Sequence, residues 1–415
     1  MADPPAIDAP RVIADLRALA ARISDERGAQ RVCWTPTWRE ARDFLRELLA
    51  EIGVEPEFDE AGNLWARLEG AEPDAPALAI GSHVDSVPDG GWLDGALGVM
   101  AAVGVLRAYA GPGGPPPRPL VLVDWADEEG ARFGRSLFGS SAFAGMFDPD
   151  EVRDLRDAEG RSLVEVLAEN DVDLDRVVES SQRREGLGDY LELHIEQGPR
   201  MQAAGLRAAA VTGCVGVERL RFGFSGQSSH AGTTPMEARR DAGLAAAEAA
   251  LAIARIPESD GGVATTGELR LEPGIATAIA GHATLSADLR HPDEAALARM
   301  LASAEAAAES AAVTHGCELD VAPLWRIEPI PFDTGLVEIV RGACADTTGE
   351  PAELASGALH DAAEVASVMP AAMLFAPSAH GISHAREEDT DETDLAVAIE
   401  AYGLAVSRIA ERKIA

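Results

Sequence analysis

Residues 77–130 constrain the fold more tightly than any other part of the chain. "ALAIGSH" at 77–83 is an apolar run of strand length, "DGALGVMAAVGVLRAYA" at 94–110 reads as a helix, and "PLVLVDWADEEG" at 119–130 is a second apolar strand ending in acids. The intervening "GPGGPPP" cannot continue the helix, because proline lacks the amide and clashes with the preceding turn. Strand, helix, strand predicts a largely parallel sheet. Ligands of such sheets gather beyond the carboxyl ends of the strands, which is where His83 and the acids of 127–129 fall. Burying such groups without partners costs roughly several kcal/mol each, so something must hold them there.

The pattern recurs downstream. "DYLELHIEQGP" at 189–199 is another strand ending in a histidine, and the apolar "AAMLFAP" at 371–377 leads into "SAHGISHAREED". His83, His194 and His384 can therefore meet at one sheet edge. Between these pieces, 210–225 and 264–290 read as strands and 235–254 and 293–312 as Ala-rich helices. A chain of 415 residues exceeds the roughly 250–300 residues that one core supports. The expected fold is thus α/β: a mixed, largely parallel sheet flanked by helices over 1–210 plus 326–415, with an inserted α/β sandwich over 211–325.

Composition narrows the function. A formal charge of −35 argues against nucleic acid or an anionic membrane as partner, because both are polyanions. Cys33, Cys214, Cys317 and Cys344 are far apart with no CxxC spacing, which fits a reducing cytoplasm rather than a disulfide framework or a thiolate zinc site. The N-terminus lacks a basic start followed by an apolar run, and no stretch reaches the ~18 apolar residues of a membrane span. A cytoplasmic location is expected.

Imidazole and carboxylate donors without thiolates suit zinc, manganese, cobalt or nickel. Two divalent ions need a bridging carboxylate and roughly two further ligands each, and this chain can supply that set. Asp94 bridges, His83 and His194 complete one position, and Glu129 and His384 the other. Asp85, in an H-x-D pair, can accept the second ring N–H of His83 and fix its tautomer. Glu128, adjacent to a ligand, is then free to act as general base. The plainer alternatives are that Asp94 caps the helix that follows it and that "DEE" at 127–129 is a solvated acidic turn.

"GSHVDSVPDGGWLDGALGV", "DEEGARF", "HIEQGP", "HAGTTPMEARRDA" and "GISHAREE", in this order over residues 81–388, resemble the amidohydrolase branch of the M20 metallopeptidases. That branch holds N-carbamoyl-L-amino-acid hydrolases, β-ureidopropionases and allantoate amidohydrolases. The resemblance implies a homodimer with a two-zinc catalytic domain and an inserted lid that also makes the dimer contact. It implies the same five metal ligands, with Glu128 as base, and a histidine at 194 favours this branch over aminoacylases and peptidases.

It further implies that Gln197 hydrogen-bonds a ureido group, that Gly357 lies against the substrate, and that His360 supports the ligands. His230, from the partner subunit's lid, would stabilise an oxyanion, and such donors lower barriers by about 2.7–4 kcal/mol. Arg290 would grip the substrate carboxylate, although pairing with Asp288 is the plainer role for a strand arginine. The sequence departs from the family pattern at Thr277, where asparagine is expected, at Leu359, where glycine is usual, and at Arg386, where proline is common. The implied substrate is a small N-carbamoyl amino acid. Allantoate or another ureido acid, an aminoacylase or peptidase substrate, and a non-catalytic binding role are the alternatives.

Overall fold

The computed structural model describes residues 5–111 and 113–412. The chain divides into two compact units, Met1–Thr212 with Pro331–Ala415, and Gly213–Ile330. No helix among the described residues is long and apolar enough to cross a membrane.

In the first unit, the runs Ala77–His83, Leu120–Trp125 and Ala371–Ala376 are buried at every position, which is possible only where helices cover both faces of a sheet. These strands and Leu187–Ile195 run parallel at the centre of a nine-stranded sheet, in spatial order 371–376, 187–195, 77–83, 120–125. Leu64–Leu68 and Ala209–Cys214 flank them in antiparallel pairing. The parallel core is thus closed by antiparallel neighbours, and the sheet is mixed. Register pairs His83 with Trp125 and His194 with Phe375, so both imidazoles leave the sheet at one edge.

The helix Ala96–Ala110 follows at once from Gly95, which has φ of 64°. A Cβ at Gly95 would lie 2.4 Å from the His83 ring, so the turn needs glycine both for its backbone and for the approach of the imidazole. Near the N-terminus, Ala9–Ile23 and Pro36–Ala50 form helices capped by the side chains of Asp8 and Thr35.

Beneath the sheet edge, Arg42 and Asp124 form a buried pair with Nε to Oδ2 at 2.7 Å. Arg42 also donates to the carbonyls of Gly62 and Asp124, while Asp124 Oδ1 accepts the Val84 amide at 2.8 Å. Replacing Arg42 with methionine leaves Asp124 buried without its cation, and we expect a loss of about 3–5 kcal/mol. Urea unfolding followed by circular dichroism checks this, and a loss below 1 kcal/mol would contradict it.

The second unit is an antiparallel sheet of four strands in order Val263–Glu272, His282–His291, Gly216–Ser225, Glu318–Ile327. Ala283, Leu285, Ala287 and Leu289 alternate inward along one strand, at the period of two that a half-buried sheet requires. They pack on Ala242–Ile253 and Glu294–Thr314, whose alanines let the helices lie close to the sheet. The stretch 210–225, expected as one strand, is broken at Val215, because Ala209–Cys214 pairs in the first sheet and Gly216–Ser225 in the second.

Candidate metal centre

Four segments converge beyond the carboxyl ends of the parallel strands: 83–95, 125–130, 194–198 and 383–388. They bring His83, Asp94, Glu128, Glu129, His194 and His384 together. His194 Nε2 lies 3.2 Å from Asp94 Oδ1, and His83 Nε2 lies 4.0 Å from the same oxygen. On the other side of that carboxylate, His384 Nε2 is 3.2 Å from Asp94 Oδ2 and 3.5 Å from Glu129 Oε2. The donors of His83, Asp94 and His194 form one group and those of Asp94, Glu129 and His384 another, with all atoms of a group within 4.8 Å of one another. Each oxygen of Asp94 faces one group.

Asp94 Oδ1, Glu129 Oε1 and His194 Nε2 are buried with no hydrogen-bond partner. Asp94 Oδ1 and His194 Nε2 stand 3.2 Å apart. Buried nitrogen and oxygen atoms that converge in this way suit the donor set of a cation. Nitrogen and oxygen donors with no thiolate fit zinc and its first-row neighbours. The residues present therefore fit the metal that the sequence implies.

A third group, Glu192, His194 and His360, lies behind the first. Its carboxylate is already engaged, since Glu192 accepts from the Ser82 hydroxyl at 2.7 Å and the Ala362 amide at 3.0 Å. His360 bonds Ser356 Oγ at 3.0 Å and packs its ring 4.4 Å from that of His194. His360 thereby packs against the His194 imidazole.

In the polypeptide alone, burial pushes the Glu128 carboxyl well above the ordinary range, against the pull of His83. Burial, reinforced by repulsion from Asp94, raises Glu129 to about 7. Asp94 pulls His384 up to about 9, with Glu129 adding to the effect. Burial holds His360 well below its usual value, as a neutral ring.

Asp85 works differently from the expectation. The His83 ring nitrogen Nδ1 lies 3.2 Å from the Asp85 backbone carbonyl and 3.6 Å from its carboxylate. The carboxylate instead accepts the amides of Glu128 and Glu129 at 3.3 and 3.2 Å, which fixes the acidic turn beside the histidine. Trp34 Nε1 holds the preceding Asp127 at 3.0 Å.

Gln197 Nε2 donates to Asp94 Oδ2 at 3.0 Å and reaches His384 Nε2 at 3.3 Å, while its Oε1 has no partner. Asp127, Gln197 and His384 all have left-handed φ, between 55° and 57°. Strained backbone of this kind persists where the surroundings over-determine it, and it clusters at functional sites. Gly357 lies beside Ser356, in the turn that leads to His360.

The remaining expected residues belong to the second unit. His230 is exposed and pairs with Ala278, and the Ala231 amide bonds the Thr277 carbonyl at 2.9 Å, so His230 and Thr277 adjoin. Arg290 Nε bonds Asp288 at 2.8 Å, and Arg219 bonds the same carboxylate.

Sequence reasoning missed several supports. Glu192 and His194 share one strand face at i, i+2, a spacing that marks them as neighbours. Arg31, fully buried, donates to the carbonyls of Gly91 and Asp94 at 3.1 and 2.9 Å. Glu388, in the charged run "REED", is buried at 1% exposure. No local pattern separates either from ordinary surface charge.

Comparison with known proteins finds similar chains over nearly the whole length. The model for "Peptidase family M20/M25/M40" matches residues 79–408. The N-carbamoyl-L-amino acid amidohydrolase of Geobacillus stearothermophilus is 35% identical, covering 92% of this chain and 94% of that protein. The allantoate amidohydrolase of Escherichia coli K12 is 33% identical, covering 93% and 94%. A crystal structure of an amidase of the hydantoinase/carbamoylase family from Burkholderia multivorans has a TM-score of 0.88 at 31% identity, covering 99% of this chain and 100% of that one. With the family match spanning both the donor groups and the inserted unit, the chain belongs to peptidase family M20/M25/M40 and is an amidohydrolase within it.

Proposed function

We propose that this protein hydrolyses N-carbamoyl-L-amino acids, with water, to the amino acid, ammonia and carbon dioxide. The observation that carries the reading is the shared carboxylate: Asp94 presents one oxygen to His83 and His194 and the other to Glu129 and His384. In this reading His83, Asp94 and His194 hold one divalent ion, zinc first among the candidates, and Asp94, Glu129 and His384 hold a second. Such ions polarise a carbonyl oxygen and lower the pKa of water.

The chain's own residues do the rest. Glu128, its Oε2 3.7 Å from His83 Nε2, takes the proton from the attacking water and returns it to the departing amine. Its burial suits this exchange, since a carboxylate raised toward neutrality both accepts and releases a proton readily. Gln197, with its carbonyl oxygen unpartnered, turns to the ureido group. The protein acts as a homodimer, in which His230 of the partner subunit steadies the developing oxyanion. Arg290 binds the substrate carboxylate, exchanging part of its bond to Asp288, while Thr277 and Gly357 line the substrate. The reaction takes place in the cytoplasm.

A second reading, allantoate or another ureido acid as substrate, is favoured by the similarity to an allantoate amidohydrolase and by Thr277, whose hydroxyl cannot reproduce an amide's paired donor and acceptor. Turnover of carbamoyl, formyl and acetyl amino acids, a dipeptide and allantoate by zinc- or manganese-loaded protein separates the readings. The expected order places a carbamoyl substrate first in kcat/KM. Faster cleavage of allantoate selects the second reading, and faster cleavage of acetyl or dipeptide substrates overturns both.

A further inference from the structure

We infer that Glu388 governs the outer cation position, that of Asp94, Glu129 and His384, separately from the inner one, by strapping the His384 loop to the Asp94 loop. The inference rests on the two-ion reading above. The inner donors His83, Asp94 and His194 are all buried, whereas the His384 side chain is 51% exposed and sits on a loop at a φ of 55°. A ligand on such a loop needs an external brace to keep its bond angle and distance.

Glu388 is that brace. Its Oε1 accepts the amides of Leu93 and Asp94 at 3.1 and 3.0 Å, and its Oε2 accepts the Ser383 hydroxyl at 2.9 Å. The same hydroxyl lies 3.2 Å from Asp94 Oδ2. The chain returns from His384 to Glu388 through the Glu388 amide, which bonds the Ala385 carbonyl at 3.0 Å. One buried carboxylate therefore ties both sides of the outer position together.

Gly91 shows how closely the strap is fitted. A Cβ there would stand 2.0 Å from Glu388 Oε1, so only glycine admits the carboxylate. The inner position has anchors of its own. Arg31 Nη2 donates to the Asp94 carbonyl at 2.9 Å, the Ala96 amide bonds the same carbonyl at 2.7 Å, and Glu192 and His360 stand behind His194. Altering Glu388 leaves these in place while releasing the loop that carries His384.

The test is equilibrium binding of cobalt(II) to the full chain across buffers of graded free metal. Bound ions are counted by elemental analysis, and coordination is followed by visible absorption. The parent protein is expected to lose its ions in two phases. Glu388→Gln, nearly isosteric but uncharged, should weaken the looser phase about 10–100-fold and leave the tighter phase in place. Ser383→Ala should shift the looser phase in the same direction by a smaller factor, and it keeps the proposal testable if the glutamine variant fails to fold. Glu388→Asp, keeping the charge on a shorter arm, should fall between parent and glutamine variant. Equal shifts of both phases, or none, overturn the role of Glu388 while leaving the two-ion reading intact. A parent protein that binds no cobalt overturns the two-ion reading itself, and the inference with it.

Discussion

Replacing Glu128 with glutamine will lower kcat by about 10²–10⁴-fold while both ions stay bound. The size of the effect follows from what the substitution removes. Glutamine keeps the shape and a carbonyl acceptor but cannot take up a proton at neutral pH, so the attacking water and the leaving nitrogen both lose their proton carrier. The position of residue 128 is set by its backbone, whose amide bonds Asp85 Oδ1, and that bond survives the change. The ligand groups exclude Glu128, so metal content should be unaffected. Initial rates on the best substrate of the panel, with metal analysis of the same sample, check both halves. Retention of a tenth or more of kcat with the ions bound would remove Glu128 from the base role.

Stripping the ions will abolish turnover and also lower the melting temperature. Folding gathers Asp94, Glu128 and Glu129 at one edge, with Asp94 Oδ1 and Glu129 Oε1 unpartnered. Without a cation, burial and repulsion between neighbouring carboxylates push Glu128 and Glu129 toward protonation. A ligand present at about 100 times its dissociation constant stabilises the folded state by about 2.7 kcal/mol per site. At about 1–2 °C per kcal/mol for a chain of 415 residues, two such sites predict a fall of on the order of 5 °C on adding a strong chelator. Calorimetry before and after chelation measures the shift, and added zinc or manganese should restore both melting temperature and activity. Full activity in the chelated protein would exclude a metal-dependent reaction.

Much of this centre was legible before the coordinates. An apolar strand that ends in a histidine is a local statement, and the chain makes it at His83 and at His194. Parallel pairing then fixes the rest, because strands buried on both faces end at one edge. The acids of 127–129 are likewise placed by the end of their strand. By contrast, which atoms of Asp85 meet which partners was not legible. Its carboxylate clamps the amides of Glu128 and Glu129, and it is the Asp85 carbonyl that faces the His83 ring. Two residues of sequence separation could not distinguish those partners, since the acidic turn lies more than forty residues away.

The sequence by itself determined the class of sheet, the inserted unit and which histidines and acids end the strands, because apolar periodicity and strand ends are written in local order. Only the tertiary structure decided which oxygen of Asp94 faces which imidazole, that Glu388 and Arg31 bond the backbone around Asp94, and that Glu192 and His360 stand behind His194. These are contacts between segments far apart in the chain, and their geometry depends on how the strands register and how the loops pack. A buried carboxylate and a solvated one share the same letter, and only folding decides which of them must find a partner.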